Sequence, residues 1–118
     1  MLEVKSEKLR RCDVVRAVGR IDSASVGQLK EAFEVITKAN RFKIVFNMKE
    51  ISFMSSAGLR QMIETKKACE RGLTGSGLNR GDLILTEIPQ NMQDVLELSG
   101  LTPVFTAFET ETQAVGSF

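Results

Sequence analysis

The sequence predicts an α/β fold, and three observations carry that expectation. Segments rich in β-branched residues alternate along the chain with segments whose apolar residues recur at helical spacing. One strand-like segment, KIVFNM at 43–48, is a short continuous apolar run, the pattern of a strand covered on both faces. A helix-like segment separates it from the preceding strand, and such a unit makes the two strands parallel neighbours joined by a right-handed crossover. At 118 residues the chain has the length of one domain, residues 1–118, with one modest core.

MLEVKSEK, at 1–8, mixes charged with apolar residues and suits an opening edge strand. In DVVRAVGRID, at 13–22, Val14 and Val18 fall on one side and Val15, Ala17 and Ile21 on the other, as in a strand partly open to solvent. Asp22, Ser23 and Ser25 then offer capping side chains, and Ser25 with Gln28 fits a capping box. Val26, Leu29, Phe33 and Ile36 follow at helical spacing as far as Asn40. After the central strand, KEISF at 49–53 reads as a loop or short extended segment. A second helix runs from about Ser56 to Glu70, with Leu59, Met62, Ile63 and Cys69 on one side. RGLTGSGLNRGD, at 71–82, is Gly-rich and reads as a flexible surface loop, and LILTEI, at 83–88, is another buried-strand pattern. Pro89 suits the first turn of a third helix carrying Met92, Val95 and Leu96, and Gly100 suits its stop. TPVFTAF, at 102–108, reads as a last short strand, and Glu109 to Val115 as a polar helical turn or two.

Composition removes several function classes. Sixteen basic and fifteen acidic residues leave a net charge of +1, and like charges never run beyond pairs such as Arg10-Arg11 and Lys66-Lys67, so no nucleic-acid or membrane-surface patch is expected. The opening residues lack the apolar stretch of a signal peptide, and no later run approaches the roughly 18–20 apolar residues of a membrane span, so a cytoplasmic protein without membrane insertion is expected. Cys12 and Cys69 stand alone and read as structural thiols. The absence of histidine argues against serine hydrolases and against most zinc and non-haem iron sites, so neither catalysis, metal nor cofactor is expected. Gly75, Gly77 and Gly81 could present N–H groups to a phosphate. Their loop, however, follows a helix and leads into a strand, the reverse of the phosphate-binding order, and lacks the terminal Gly-Lys-Ser/Thr.

The distinctive stretch is FMSSAGLRQM, at 53–62. Ser55 and Ser56 lie where a helix opens, so a hydroxyl there can cap an unpaired backbone N–H. They can equally take a phosphate. The apolar pair Phe53-Met54 leads straight into the serines, and Ala57-Gly58 follows, which would let another protein's surface come close. A phosphate brings a charge of about −1.5 to −2 at neutral pH, which the helix N-terminus stabilises, so it would alter the surface and not the fold.

Over nearly the whole chain the sequence resembles a STAS domain, and within that family a bacterial anti-sigma factor antagonist. GRIDSASVGQLKEAF resembles the family's strand, Gly-x-hydrophobic-Asp turn and first helix; KIVFNMKEISFMSSAGLRQM its central strand and phosphoacceptor loop; LILTEIPQNMQDVLELSGL its later strand and helix. The resemblance implies an α/β, STAS-like mixed sheet of four to five strands with helices mainly on one side. It also implies a non-enzymatic role in partner switching. In that scheme the unphosphorylated antagonist binds an anti-sigma factor that is a serine kinase and frees the sigma factor; phosphorylation releases the antagonist; a PP2C-type phosphatase resets it.

The family's phosphoserine stands two positions before the glycine of its Asp-Ser-Ser-Gly-Leu pattern, which corresponds to Ser56, with Ser55 as second choice. The chain departs from the pattern at Ser55, where an aspartate often stands, and at Asn47, where the preceding strand commonly carries one. The expected partner surface comprises Met54, Ser55, Ser56, Gly58, Leu59, Arg60 and Met62, with Asp22 and Ser23 of the neighbouring turn; for Met62 core packing is the competing reading. Two other functions compete: a STAS scaffold or transporter accessory subunit that is never phosphorylated, and an enzyme. Lys66, Lys67, Glu64 and Glu70 are the charged groups near the serines, and at helical spacing they read as solvated surface pairs.

Overall fold

The computed structural model describes residues 1–74 and 79–118. Strands β1 (Leu2–Lys8) and β2 (Asp13–Ile21) lead to helix α1 (Val26–Lys38), strand β3 (Lys43–Met54) and helix α2 (Ser56–Arg71). The short strands β4 (Leu73–Thr74) and β5 (Asn79–Arg80) precede β6 (Asp82–Thr86), α3 (Gln90–Leu98), β7 (Ala107–Phe108) and α4 (Glu111–Gly116). The main sheet has the order β1-β2-β3-β6-β7. Only β1 runs antiparallel to its neighbour; β2, β3, β6 and β7 are mutually parallel, as crossover helices require.

Alternation along the strands sends residues to two cores. Val15, Ala17, Ile44, Phe46, Met48, Leu83 and Leu85 pack under Leu29, Phe33, Ile36, Met62, Cys69, Met92 and Leu96 of α1, α2 and α3. At its centre the Phe33 ring meets Phe46 edge to face at 5.3 Å. Cys12, Val14, Val45 and Ile84 point the other way and are covered by Ala114 of α4. Three helices therefore lie on one side and one on the other, and the apolar run at 43–48 reflects burial on both faces.

Polar bonds hold α4 in place. Arg16 donates from Nε and Nη2 to the two carboxylate oxygens of Glu111, at 2.9 and 2.7 Å, and from Nη1 to Glu7 at 3.1 Å. The Asn47 amide donates to Glu111 Oε1 at 3.0 Å, while its Oδ1 accepts from Lys49 N at 2.9 Å. Arg16 first, with help from Asn47, holds the Glu111 carboxyl below its usual range against the opposing effect of burial. Thr110 and Gln113 close a reciprocal capping box on α4.

Several local expectations are corrected. KEISF takes the extended one of its two expected readings, but as part of a long strand and not as a short segment, because β3 continues to Met54. Its register against β2 slips twice: Arg16 pairs with Asn47 but Val18 with Glu50, and Gly19 pairs with Ile51 but Arg20 with Phe53. Each slip is one extra residue on β3, a bulge, so a simple two-residue alternation breaks there. Ser25 and Gln28 form no capping box. Asp22 organises that turn instead, its Oδ1 accepting from Ala24 N and Ser25 N, both at 3.0 Å, and these bonds lie among the causes that lower its pKa, with the Ser25 side chain first. In TPVFTAF only Ala107–Phe108 pair as strand. Residues 73–74 pair antiparallel with 79–80, so the Gly-rich loop contains a two-stranded ribbon. Gly75 and Gly77 lie outside the described residues. Gly81 is packed so closely that a Cβ there would sit 2.3 Å from the Phe42 carbonyl oxygen. The stop after α3 is as expected: Gly100, at φ +72°, donates to Glu97 O while Leu101 N donates to Leu96 O at 2.8 Å, a Schellman closure.

Candidate functional site

The serine turn follows from where β2 and β3 end. Ile21 and Met54 are register partners, both buried, and Ser55 N donates to Ile21 O at 2.8 Å. That bond places the start of α2 against the turn that opens at Asp22, so the two segments named from sequence are neighbours. Gly58 makes the junction close: a Cβ there would lie 2.7 Å from Met54 Cγ and 2.8 Å from Ile21 Cγ2. The missing side chain thus serves the packing of α2 onto the strands, which corrects the expectation that it admits a partner's surface.

The two serines differ. Ser55 takes the N-cap position in extended conformation (φ −84°, ψ 174°), yet its hydroxyl caps nothing: Oγ is buried and has no hydrogen-bond partner among the described residues. Its carbonyl accepts from Gly58 N at 3.0 Å and Leu59 N at 3.2 Å. Ser56 is the first helical residue and is exposed. Among the described residues the N–H groups of Ser56 and Ala57 have no acceptor, and the first turn of α2 carries no acidic side chain, so nothing within that turn offsets the positive end of the helix.

The remaining expected residues divide by burial. Asp22 is half-buried and Ser23 exposed; Arg60, four residues beyond Ser56, is exposed on α2, and Leu59 is half-buried against the core. Met54, Gly58 and Met62 are buried, Met62 completely, so these three support the turn from beneath and the two methionine side chains are withdrawn from the surface. Met62 takes the competing reading, core packing.

Sequence reasoning missed Phe53 and Arg20. Phe53 is 38% exposed, and the Arg20 guanidinium stacks over its ring at 4.3 Å from the centroid, beside the serine turn. Alternation from Met48 does put Phe53 on the opposite face, since two one-residue bulges restore the parity, but its pairing with Arg20 depends on the β2–β3 register, which local spacing does not encode. Asn91 of α3 donates to Ser52 O at 3.2 Å and braces the same strand end. Burial pushes the Cys69 thiol up to about 12 and raises Cys12 as well, so neither is poised as a nucleophile. Among the described residues no group of histidine, cysteine, aspartate and glutamate could hold a metal ion, and no helix is long and apolar enough to cross a membrane.

Comparison with known proteins bears on this arrangement. The family model for the STAS domain matches residues 3–114. BtrV of Bordetella bronchiseptica, named as a candidate anti-sigma factor antagonist, is 24% identical over 100 residues, 85% of this chain and 80% of that protein. The crystal structure of an anti-sigma factor antagonist from Mycobacterium paratuberculosis superposes with a TM-score of 0.81 at 18% identity, over 99% of this chain and 93% of the other, a likeness of fold. The Bacillus cell fate determinant SpoIIAA in its phosphorylated form gives a TM-score of 0.70 at 25% identity, over 98% of each chain.

Proposed function

The chain belongs to the STAS domain family, and from that premise we propose that it is an anti-sigma factor antagonist controlled by phosphorylation of Ser56. Unmodified, it binds an anti-sigma factor serine kinase through the serine turn and the exposed face of α2, in the cytoplasm and without catalysis of its own. Phosphorylation releases it, and a PP2C-type phosphatase restores it. The observation that carries the reading is the contrast between the serines: the Ser56 side chain is open to a kinase, whereas Ser55 Oγ is buried.

In the transfer, Ser56 Oγ attacks the γ-phosphorus of ATP held by the kinase. The O–P bond forms, the bond from the γ-phosphorus to the bridging oxygen breaks, ADP leaves, and the hydroxyl proton passes to a base of the kinase. The product dianion lies against the unpaired N–H groups of Ser56 and Ala57, so the helix tolerates it. A docked partner would have to desolvate it. Leaving a charge unpaired in an interface costs about 2–5 kcal/mol, a loss of roughly 30- to several-thousand-fold in affinity.

The test is binding of the wild type, Ser56→Ala and Ser56→Asp to the kinase encoded by the same genome, with peptide mass spectrometry after incubation with ATP. The Ala variant should bind and stay unmodified, and the Asp variant should bind more weakly. Equal affinity of both variants would sink the switch, and a phosphate mapped to Ser55 would move the site. Protein that stays unmodified across growth and stress conditions, while self-assembling or co-purifying with a transporter ATPase, would favour the scaffold reading.

A further inference from the structure

A second surface, lined by none of the serine-turn residues, lies between α3 and the β6–β7 edge of the sheet. It is a groove of about 530 Å³, within the size range of ligand sites. Leu96, Phe105 and Phe108 contribute to its apolar walls, and its described charged residues are Glu87, Glu97 and Glu109, with no lysine or arginine among them, on a chain whose net charge is +1. Each wall is braced within itself: Leu85 N donates to Thr106 O at 2.9 Å on the sheet side, and Leu101 N to Leu96 O at 2.8 Å at the end of α3. Apolar surface continues outside the groove in the same two wall segments, where Leu98 is 90% and Val104 41% exposed.

We propose that this groove docks a short segment of a partner protein in which an apolar anchor is flanked by arginine or lysine. The anchor fills the space between Leu96, Phe105 and Phe108, and the basic side chains meet the carboxylates at the rim. An apolar segment with acidic flanks would bring like charges together, and one without charge would desolvate the carboxylates unpaired, so charge selects the occupant.

The test uses the full chain, ¹⁵N-labelled, titrated with the capped peptide Gly-Leu-Arg-Phe-Lys-Gly and with its counterpart carrying glutamate in place of Arg and Lys. The basic peptide should shift the amides of Leu96, Leu101 and Phe108, and the acidic one should not. Glu97→Gln combined with Glu109→Gln, both exposed positions, should weaken binding about three- to tenfold. Raising salt should weaken binding to the wild type in the same direction, a readout that needs no variant. Absence of groove shifts up to about 5 mM peptide, equal response to both peptides, or indifference to salt and to the double substitution would overturn the proposal. So would groove shifts that grow with protein concentration alone, which would assign the groove to a second copy of the chain.

Discussion

Asn47→Asp isolates what the departure at this position does. Asn47 is 9% exposed, and its amide donates to Glu111 Oε1 at 3.0 Å. Aspartate would replace that donor with a second carboxylate facing the first. At an effective dielectric of 20, two unit charges about 3 Å apart repel by roughly 5 kcal/mol. Arg16, already bidentate on Glu111, takes up part of that, and the new carboxyl can protonate instead of bearing the rest. The net loss at pH 7 is therefore about 2–4 kcal/mol, including the lost bond to a charged acceptor.

The sign of the pH dependence follows. The folded-state pKa of an aspartate at 47 would be raised by Glu111, so its penalty is fully developed above that pKa and fades as pH falls toward the unfolded value. For a penalty near 3 kcal/mol the window runs from about pH 6 down to about pH 4. The wild type behaves oppositely, since the lowered pKa of Glu111 makes it lose stability in acid. Urea denaturation of both proteins at several pH values should show a gap that is wide at pH 7 and narrows toward pH 4.5, and adding Glu111→Gln should restore most of the loss caused by the aspartate. An Asn47→Asp variant as stable as the wild type at pH 7, or a gap that does not change with pH, would refute this account of how α4 is held.

Met62→Ala should cost about 2–5 kcal/mol of stability, because the side chain is fully buried. Arg60→Ala should leave stability within about 0.5 kcal/mol while changing kinase affinity, and the reverse pattern would exchange their roles. The native protein should resist a thiol reagent at pH 8, with both cysteines reacting only on unfolding in urea, since burial raises both thiol pKa values.

The fold was readable where burial imposes a pattern. The central apolar run, the helical spacing of Leu29, Phe33 and Ile36, and Gly100 each carry their own signal in sequence, and each element stands where that signal puts it. KEISF was readable as loop or extended segment but not as a continuation of β3, because its two bulges depend on pairing with β2, a contact between segments that local spacing does not encode. The capping box expected at Ser25 failed for a related reason: Asp22, three residues earlier, takes the Ser25 N–H, and the Ser25 hydroxyl turns back to accept from Asp22 N and donate to Arg20 O. The real box at Thr110 and Gln113 carried the same type of signal in a segment that offered little apolar pattern to draw attention. At the serine turn, sequence placed Ser55 and Ser56 at the helix start. Which hydroxyl is exposed depends on the bond from Ser55 N to Ile21 O, across 34 residues of chain.

That bond also bears on the switch proposed at Ser56. Ser55 is held to β2 through its backbone, Gly58 is wedged between Met54 and Ile21, and Asn91 ties Ser52 to α3. The positions on either side of Ser56 are thus fixed by the core and by neighbouring elements, whereas the Ser56 side chain takes part in none of these contacts. A charge added there has no packed neighbour to displace, so its free energy falls on whatever docks against it. If the same charge were added at Ser55, whose Oγ is buried, it would fall on the fold itself. Comparing the thermal stability of Ser55→Asp and Ser56→Asp separates these cases. Ser56→Asp should unfold within a few degrees of the wild type and Ser55→Asp well below it. Equal losses would mean that the two hydroxyls share one environment and that exposure does not distinguish them.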